Sequence, residues 1–144
     1  MKSFIIQKEA DLEKPAEYIF SKISEDKNLI LLSGDLGAGK TSLTKYIAKL
    51  FGITSEITSP TFTIVKEYKT RNKVFKNFYH FDVYRIKELE ELDNIGFNEY
   101  IYKDNSICII EWADKIKDIL PSEKALDVTI KLNDDASRII EIRE

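Results

Sequence analysis

Gly34-Asp35-Leu36-Gly37-Ala38-Gly39-Lys40-Thr41 fits the phosphate-binding loop pattern G-x-x-x-x-G-K-[ST]. Its context agrees with the pattern. Residues 28–33 (NLILLS) form a short apolar run suited to a buried strand. Residues 41–51 (TSLTKYIAKLF) place Leu43, Ile47 and Leu50 at helical spacing. Strand, glycine loop and helix are the arrangement the motif requires. A polyphosphate needs several N–H donors aimed at one point. Gly34, Gly37 and Gly39 let the backbone curl in without a β-carbon clash. The helix beginning near Lys40 turns its positive dipole end to the same anion. Lys40 is expected to carry its charge to the β- and γ-phosphates, and Thr41 to present its hydroxyl to magnesium. The loop residues Asp35, Leu36, Gly37, Ala38, Gly39, Lys40, Thr41 and Ser42 are the expected phosphate contacts. The bland alternative is a glycine turn leading into a helix.

At 144 residues the chain is read as one domain, 1–144, with enough length for a single core. Hydrophobic residues at 43% and charged residues at 33% describe a globular chain. A net charge of −3 argues against wrapping of DNA or RNA by charge alone. No apolar run approaches transmembrane length. The opening MKSFIIQKEADLEK turns acidic before a signal-like region develops. The single Cys108 excludes an internal disulfide. The expectation is a cytoplasmic protein with no membrane association.

Outward from the loop, residues 4–6 read as a first strand and 9–24 as a helix. Its true start lies near Lys14, with Pro15 in the first turn and Asp11 as a possible cap. Gly52 should end the loop helix. Residues 61–69 and 73–84 alternate and carry many β-branched or aromatic side chains. They predict an antiparallel hairpin beside the phosphate-loop strand. A short charged helix is expected at 87–92, broken by Gly96, with a further helical turn at 98–102. Residues 106–110 (SICII) predict a buried strand, and 112–120 a helix ending before Pro121. Residues 125–131 and 138–143 predict a second hairpin at a sheet edge. The fold class that follows is α/β: three layers, like phosphate-loop nucleotide hydrolases, with a mixed central sheet containing antiparallel hairpins.

A phosphate loop usually works with a carboxylate at the end of a neighbouring buried strand. Glu111, after Ile107-Cys108-Ile109-Ile110, is the first candidate and a magnesium ligand together with Thr41. The alternative for Glu111 is a carboxylate at the start of the next helix. Asp82, after Tyr79-His80-Phe81, could orient the attacking water or act as a base. Its alternatives are pairing with Arg85 or forming a turn at the strand end. Thr61, after Ser59-Pro60, could touch the γ-phosphate or the metal, against a local turn bond. The lone His80 reads as packed rather than as a base, and Cys108 as inert core. Lys40, Asp82 and Glu111 are thus the candidate catalytic residues.

LSGDLGAGKT (32–41), SPTFTIVKEY (59–68), YHFDVYRI (79–86), IGF (95–97) and ICIIEW (107–112) together resemble the TsaE family. That family comprises small bacterial ATPases of tRNA threonylcarbamoyladenosine biosynthesis. The likeness covers roughly residues 10–120 and is specific as a combination, although the loop alone would not be. It implies binding of ATP with magnesium and slow hydrolysis to ADP. It implies work alongside two partner proteins, TsaB and TsaD, with tRNA met through that complex. The threonylcarbamoyl transfer itself belongs to TsaD. By motif, it makes Thr61 the switch-like threonine, and Asp82 and Glu111 the acidic residues of the site. Many members follow the IEW motif with proline, where this chain has Ala113. Two further functions are open to a chain with this loop. A nucleotide-dependent binding module would switch the surface of residues 59–86, with hydrolysis incidental. A small-molecule kinase is disfavoured by the absence of an arginine-rich lid segment and of room for an acceptor pocket. No N-K-x-D segment supports guanine recognition.

Overall fold

The structure is a computed structural model that describes residues 1–35, 37–60 and 63–144. The expectations placed on Leu36 and Thr61 lie outside the described residues. The apolar run before the glycine loop forms β2 (Leu29–Gly34). Its Leu29, Ile30, Leu31 and Leu32 are at most 2% exposed. A strand buried on both faces needs a neighbour on each edge, and β2 has two, both parallel. One is β5 (Ser106–Glu111) and the other is β6 (Ala125–Leu132). Antiparallel pairs extend this parallel centre. On one side β4 (Asn77–Asp82) runs parallel to β5 and turns back as β3 (Val65–Lys69). On the other, β7 (Arg138–Arg143) pairs with β6, and β1 (Lys2–Ile6) pairs with β7. The sheet is mixed, with order β1-β7-β6-β2-β5-β4-β3.

Two placements differ from the sequence reading. The 61–84 hairpin does not lie beside the phosphate-loop strand, because β5 intervenes. All six residues of β5 are buried, so it takes an interior slot. The half-exposed β3 takes the edge instead. The terminal hairpin is not at the edge either. β6 is held between β2 and β7, and the largely exposed β1 closes that side.

Alternating side chains divide the core into two layers. Ile30, Leu32, Phe78, Ile107 and Ile109 pack with residues of α1 (Glu13–Lys22) and α2 (Lys40–Leu50). Leu29, Leu31, Tyr79, Phe81, Cys108 and Ile110 pack with residues of α3 (Glu90–Asn94) and α4 (Phe97–Ile101). The result is the expected three-layer α/β arrangement. The period of two then assigns the site: His80, Asp82 and Glu111 share the sheet face that carries α2.

Local signals held in most places. Asp11 accepts hydrogen bonds from the Gln7 and Lys8 amides, capping a 3₁₀ turn over Glu9–Leu12. α1 then starts with Pro15 in its first turn, where the missing N–H costs nothing. Gly52, at φ +76°, ends α2, and a β-carbon there would stand 2.8 Å from that of Arg71. The charged helix expected at 87–92 sits slightly later, as α3. The helix expected at 112–120 is absent. Two 3₁₀ turns, Ala113–Lys115 and Lys117–Ile119, stand there, separated by Ile116 at φ −127°. Trp112, at φ +62°, turns the chain sharply off β5. No continuous helix dipole therefore faces Glu111, which removes the alternative offered for that carboxylate.

Candidate phosphate-loop site

The loop leaves the C-terminal end of β2 and enters α2 directly at Lys40. Gly34 has to be glycine, because a β-carbon there would stand 2.5 Å from the Ile130 carbonyl oxygen of β6. Gly37 and Gly39 take φ +77° and +109°. The Ala38 amide donates to the Asp35 carbonyl at 3.0 Å and closes the curl.

Lys40 is only 5% exposed. Its ammonium donates to the carbonyls of Gly34 (2.7 Å) and Asp35 (2.9 Å). It also stands 4.0 Å from the ring centroid of Trp112. Burial pulls this amine below the usual lysine range, against the opposing pull of Glu111, Asp82, Asp114 and Asp35.

The two acidic candidates are brought together by register: Asp82 of β4 lies directly beside Glu111 of β5. Glu111 is 3% exposed. The Thr41 hydroxyl lies 3.2 and 3.1 Å from its two oxygens. Asp82 accepts from the Ser59 hydroxyl at 3.2 Å and from the Tyr84 amide at 2.9 Å. The turn-forming reading of Asp82 therefore holds for one oxygen, while the residue also lines the cleft. Among the described residues Arg85 forms no ion pair with it.

Sequence reasoning missed two neighbours. His80 is packed as expected, with no exposed surface, but its Nε2 also contacts the Glu111 carboxylate. The available signal was its place two residues before Asp82, on the same sheet face. Arg138, at the start of β7, reaches back to the loop and its Nη2 donates to the Gly37 carbonyl at 3.4 Å. Nothing in the local sequence marks it, because the contact spans most of the chain.

Gly37, Gly39, Lys40, Thr41, Ser42, Ser59, Asp82, Glu111, Trp112 and Arg138 line one cleft of about 330 Å³. Asp35 does not line this cleft but contributes a carbonyl to Lys40, and Ala38 is buried. Cys108 is fully buried in β5, and burial pushes its thiol up, as expected of an inert core residue. Among the described residues no cluster of three His, Cys, Asp or Glu could hold a metal alone. A hydroxyl against a carboxylate suits magnesium, which keeps waters and takes its remaining ligands from phosphates. The donor set would suit a magnesium-bound polyphosphate in that sense.

A mixed sheet whose central strand feeds a glycine loop and a helix, with carboxylates ending the next two strands, defines an α/β protein of the phosphate-loop type. The chain belongs to the TsaE family: the family model described as threonylcarbamoyl adenosine biosynthesis protein TsaE matches residues 6–140. The match therefore extends through most of the terminal hairpin. A TsaE protein of Haemophilus influenzae is 42% identical over 88% of this chain and 77% of its own length. One of Bacillus subtilis is 43% identical over 78% of this chain and 67% of its own. Bacillus subtilis YdiB, a crystal structure, superposes with a TM-score of 0.74 at 32% identity, covering 96% of this chain and 82% of that one. The two TsaE relatives carry the name tRNA threonylcarbamoyladenosine biosynthesis protein. No helix among the described residues is long and apolar enough to cross a membrane.

Proposed function

We propose that the chain is a magnesium-dependent ATPase serving tRNA threonylcarbamoyladenosine biosynthesis in the cytoplasm, slow alone and dependent on TsaB and TsaD. The observation that carries this is the meeting of the Thr41 hydroxyl with the Glu111 carboxylate beside a buried Lys40. Two elements distant in sequence, the start of α2 and the end of β5, converge on the point where a Mg-polyphosphate would sit. Lys40 exchanges its carbonyl partners for β- and γ-phosphate oxygens. Loop amides and the α2 N-terminus hold the rest of the chain of phosphates. Thr41 and Glu111 would hold the metal, directly or through water. Magnesium held there would supply charge neutralisation to the polyphosphate. Asp82, steadied by Ser59 and the Tyr84 amide, orients the attacking water. Catalysis of this kind is positioning plus electrostatics. Among the described residues that line the cleft, none of those on β4 and β5 is an arginine.

The test is Mg-ATP hydrolysis alone and with the two partner proteins, wild type beside Glu111→Ala. Partner stimulation, lost by on the order of a hundredfold in the variant while binding persists, is expected. Equal turnover in the two proteins would sink the role given to Glu111. Ser59 and Asp82, both of segment 59–86, line the cleft, which favours a second reading, a nucleotide-dependent switch with incidental hydrolysis. A hydrolysis-dead variant that still supports tRNA modification would select it.

A further inference from the structure

Residues 66–76 (KEYKTRNKVFK) set five cations against the single acid Glu67, a local charge of +4 in a chain of net charge −3. Part of this has a folding account. β3 is an edge strand, and lysines on an edge discourage pairing with other chains. Lys66 meets the Thr58 hydroxyl, and Lys69 donates to the Asn77 side chain at 2.6 Å. The strand ladder ends at Lys69 and Asn77. Arg71, Lys73 and Lys76 lie beyond it, on the turn, where there is no edge to guard. All three are exposed, and none pairs with a carboxylate among the described residues. The turn is held without their side chains. Asn72 accepts from the Val74 and Phe75 amides at 2.9 Å. The buried Phe75 ring packs edge-on against Phe51. The Arg71 and Lys76 amides donate to the Phe51 and Asn105 carbonyls. A firm backbone therefore displays three cations that the fold does not use.

The Lys76 bond to Asn105 brings the turn beside residues 102–105. There Tyr102 is 61% exposed. Phe75, Tyr102, Lys103 and Lys124 line a hollow of about 330 Å³. It lies at the N-terminal ends of β2 and β5, the opposite end of these strands from the phosphate loop. Glu25 and Asp104 line it as well. Its charge is thus balanced, which suits a neutral polar group rather than a phosphate. Asn28 forms part of the wall and is 5% exposed. Its amide nitrogen donates to the Ser106 carbonyl at 3.0 Å, and its Oδ1 has no partner among the described residues. A row of cations, an exposed ring and an acceptor in want of a donor match a strand of charged links and flat polar bases.

We propose that the 70–76 turn and this hollow form an RNA-binding surface, with Arg71, Lys73 and Lys76 on backbone phosphates and an unpaired base stacked on Tyr102 over the hollow. Folded RNA offers such bases in its loops, beside a charged backbone. A net acidic chain meets it through a local patch of this kind. The surface shares no residue with the phosphate-loop cleft and goes beyond the function proposed above. Fluorescence anisotropy with bulk tRNA, duplex DNA and polyglutamate as probes tests it. Wild type would be run beside the triple variant Arg71→Gln/Lys73→Gln/Lys76→Gln, Tyr102→Ala and Tyr102→Phe, with melting curves to confirm that each is folded. The wild type should bind tRNA more tightly than the other two probes. The triple variant should lose at least about tenfold for tRNA at low salt. Its slope of log affinity against log salt should fall by about 2, from three phosphate contacts at roughly 0.7 each. Tyr102→Ala should lose about tenfold with the slope kept, and Tyr102→Phe, which keeps the ring, should bind as the wild type does. Equal affinity for polyglutamate would make the turn a site for an acidic protein, and equal affinity for duplex DNA a plain polyanion patch. Either result overturns the proposal. So would unchanged tRNA affinity in the triple variant or in Tyr102→Ala, or no tRNA binding by the wild type at low salt.

Discussion

The two flanks of the phosphate loop are built differently. On the β5–β4 side the carboxylates are held by neighbouring groups, although the buried His80 Nδ1 has no hydrogen-bond partner among the described residues. Thr41 and His80 meet Glu111, and Ser59 and a backbone amide meet Asp82. On the β6–β7 side the Arg138 guanidinium faces the loop with one weak hydrogen-bond partner among the described residues. The first flank resembles a preorganised reaction centre, whose charges must be in place before the substrate arrives. The second resembles a binding face, whose cation becomes fully partnered only when a ligand covers it.

The largest effect that would separate the flanks comes from Lys40, which stands between them. Lys40→Ala is expected to lower Mg-ATP affinity on the order of a hundredfold, because charge-assisted hydrogen bonds to phosphate are lost. Titration calorimetry measures it against Glu111→Ala, in which binding should persist. Similar losses at the two positions would erase the distinction between cradle and flank.

His80 tests the preorganised side. His80→Ala leaves the buried Glu111 carboxylate with only Thr41 as side-chain partner among the described residues. Urea unfolding should show a loss of about 1 to 3 kcal/mol, and hydrolysis should fall with it. His80→Gln, which still donates to the carboxylate, should recover most of the turnover. Unaltered hydrolysis in His80→Ala would show that Glu111 needs no such support.

The smallest effects lie in the loop itself. Gly34→Ala drives a β-carbon to 2.5 Å from the Ile130 carbonyl, where β2 meets β6. Thermal melting should show a loss of about 2 kcal/mol from overpacking. Gly37→Ala meets no atom within 4 Å. It should lose about 1 kcal/mol through its left-handed backbone alone. If Gly34→Ala proved the milder change, the close approach of the loop strand to β6 would not be a constraint on the site.

Much of the reaction flank was legible in the sequence because each of its parts sits in a local pattern. The glycines and Lys40 follow a fixed spacing, and Glu111 ends an unbroken apolar strand. Asp82 ends another. Local chemistry fixed their conformations, so local reading found them. The same reading failed at 112–120, where apolar spacing predicts a helix. There Trp112 leaves β5 in a left-handed turn and packs under Lys40 instead. Tertiary contact overrode propensity at a position that the site itself uses.

The sequence by itself determined the α/β class, the phosphate loop with Lys40 and Thr41, the candidate carboxylates Asp82 and Glu111, and the family. Those depend on residue type, on the periods of strand and helix, and on contiguous motifs. Only the tertiary structure decided that β5 separates the loop strand from the 61–84 hairpin, that β1 closes the edge, and that His80 holds Glu111. It alone brought Arg138 to Gly37, across 101 positions of chain. The physical reason is that strand order follows from which strands must be buried on both edges. That is a competition among all seven strands for the central slots, and no single stretch of sequence records its outcome.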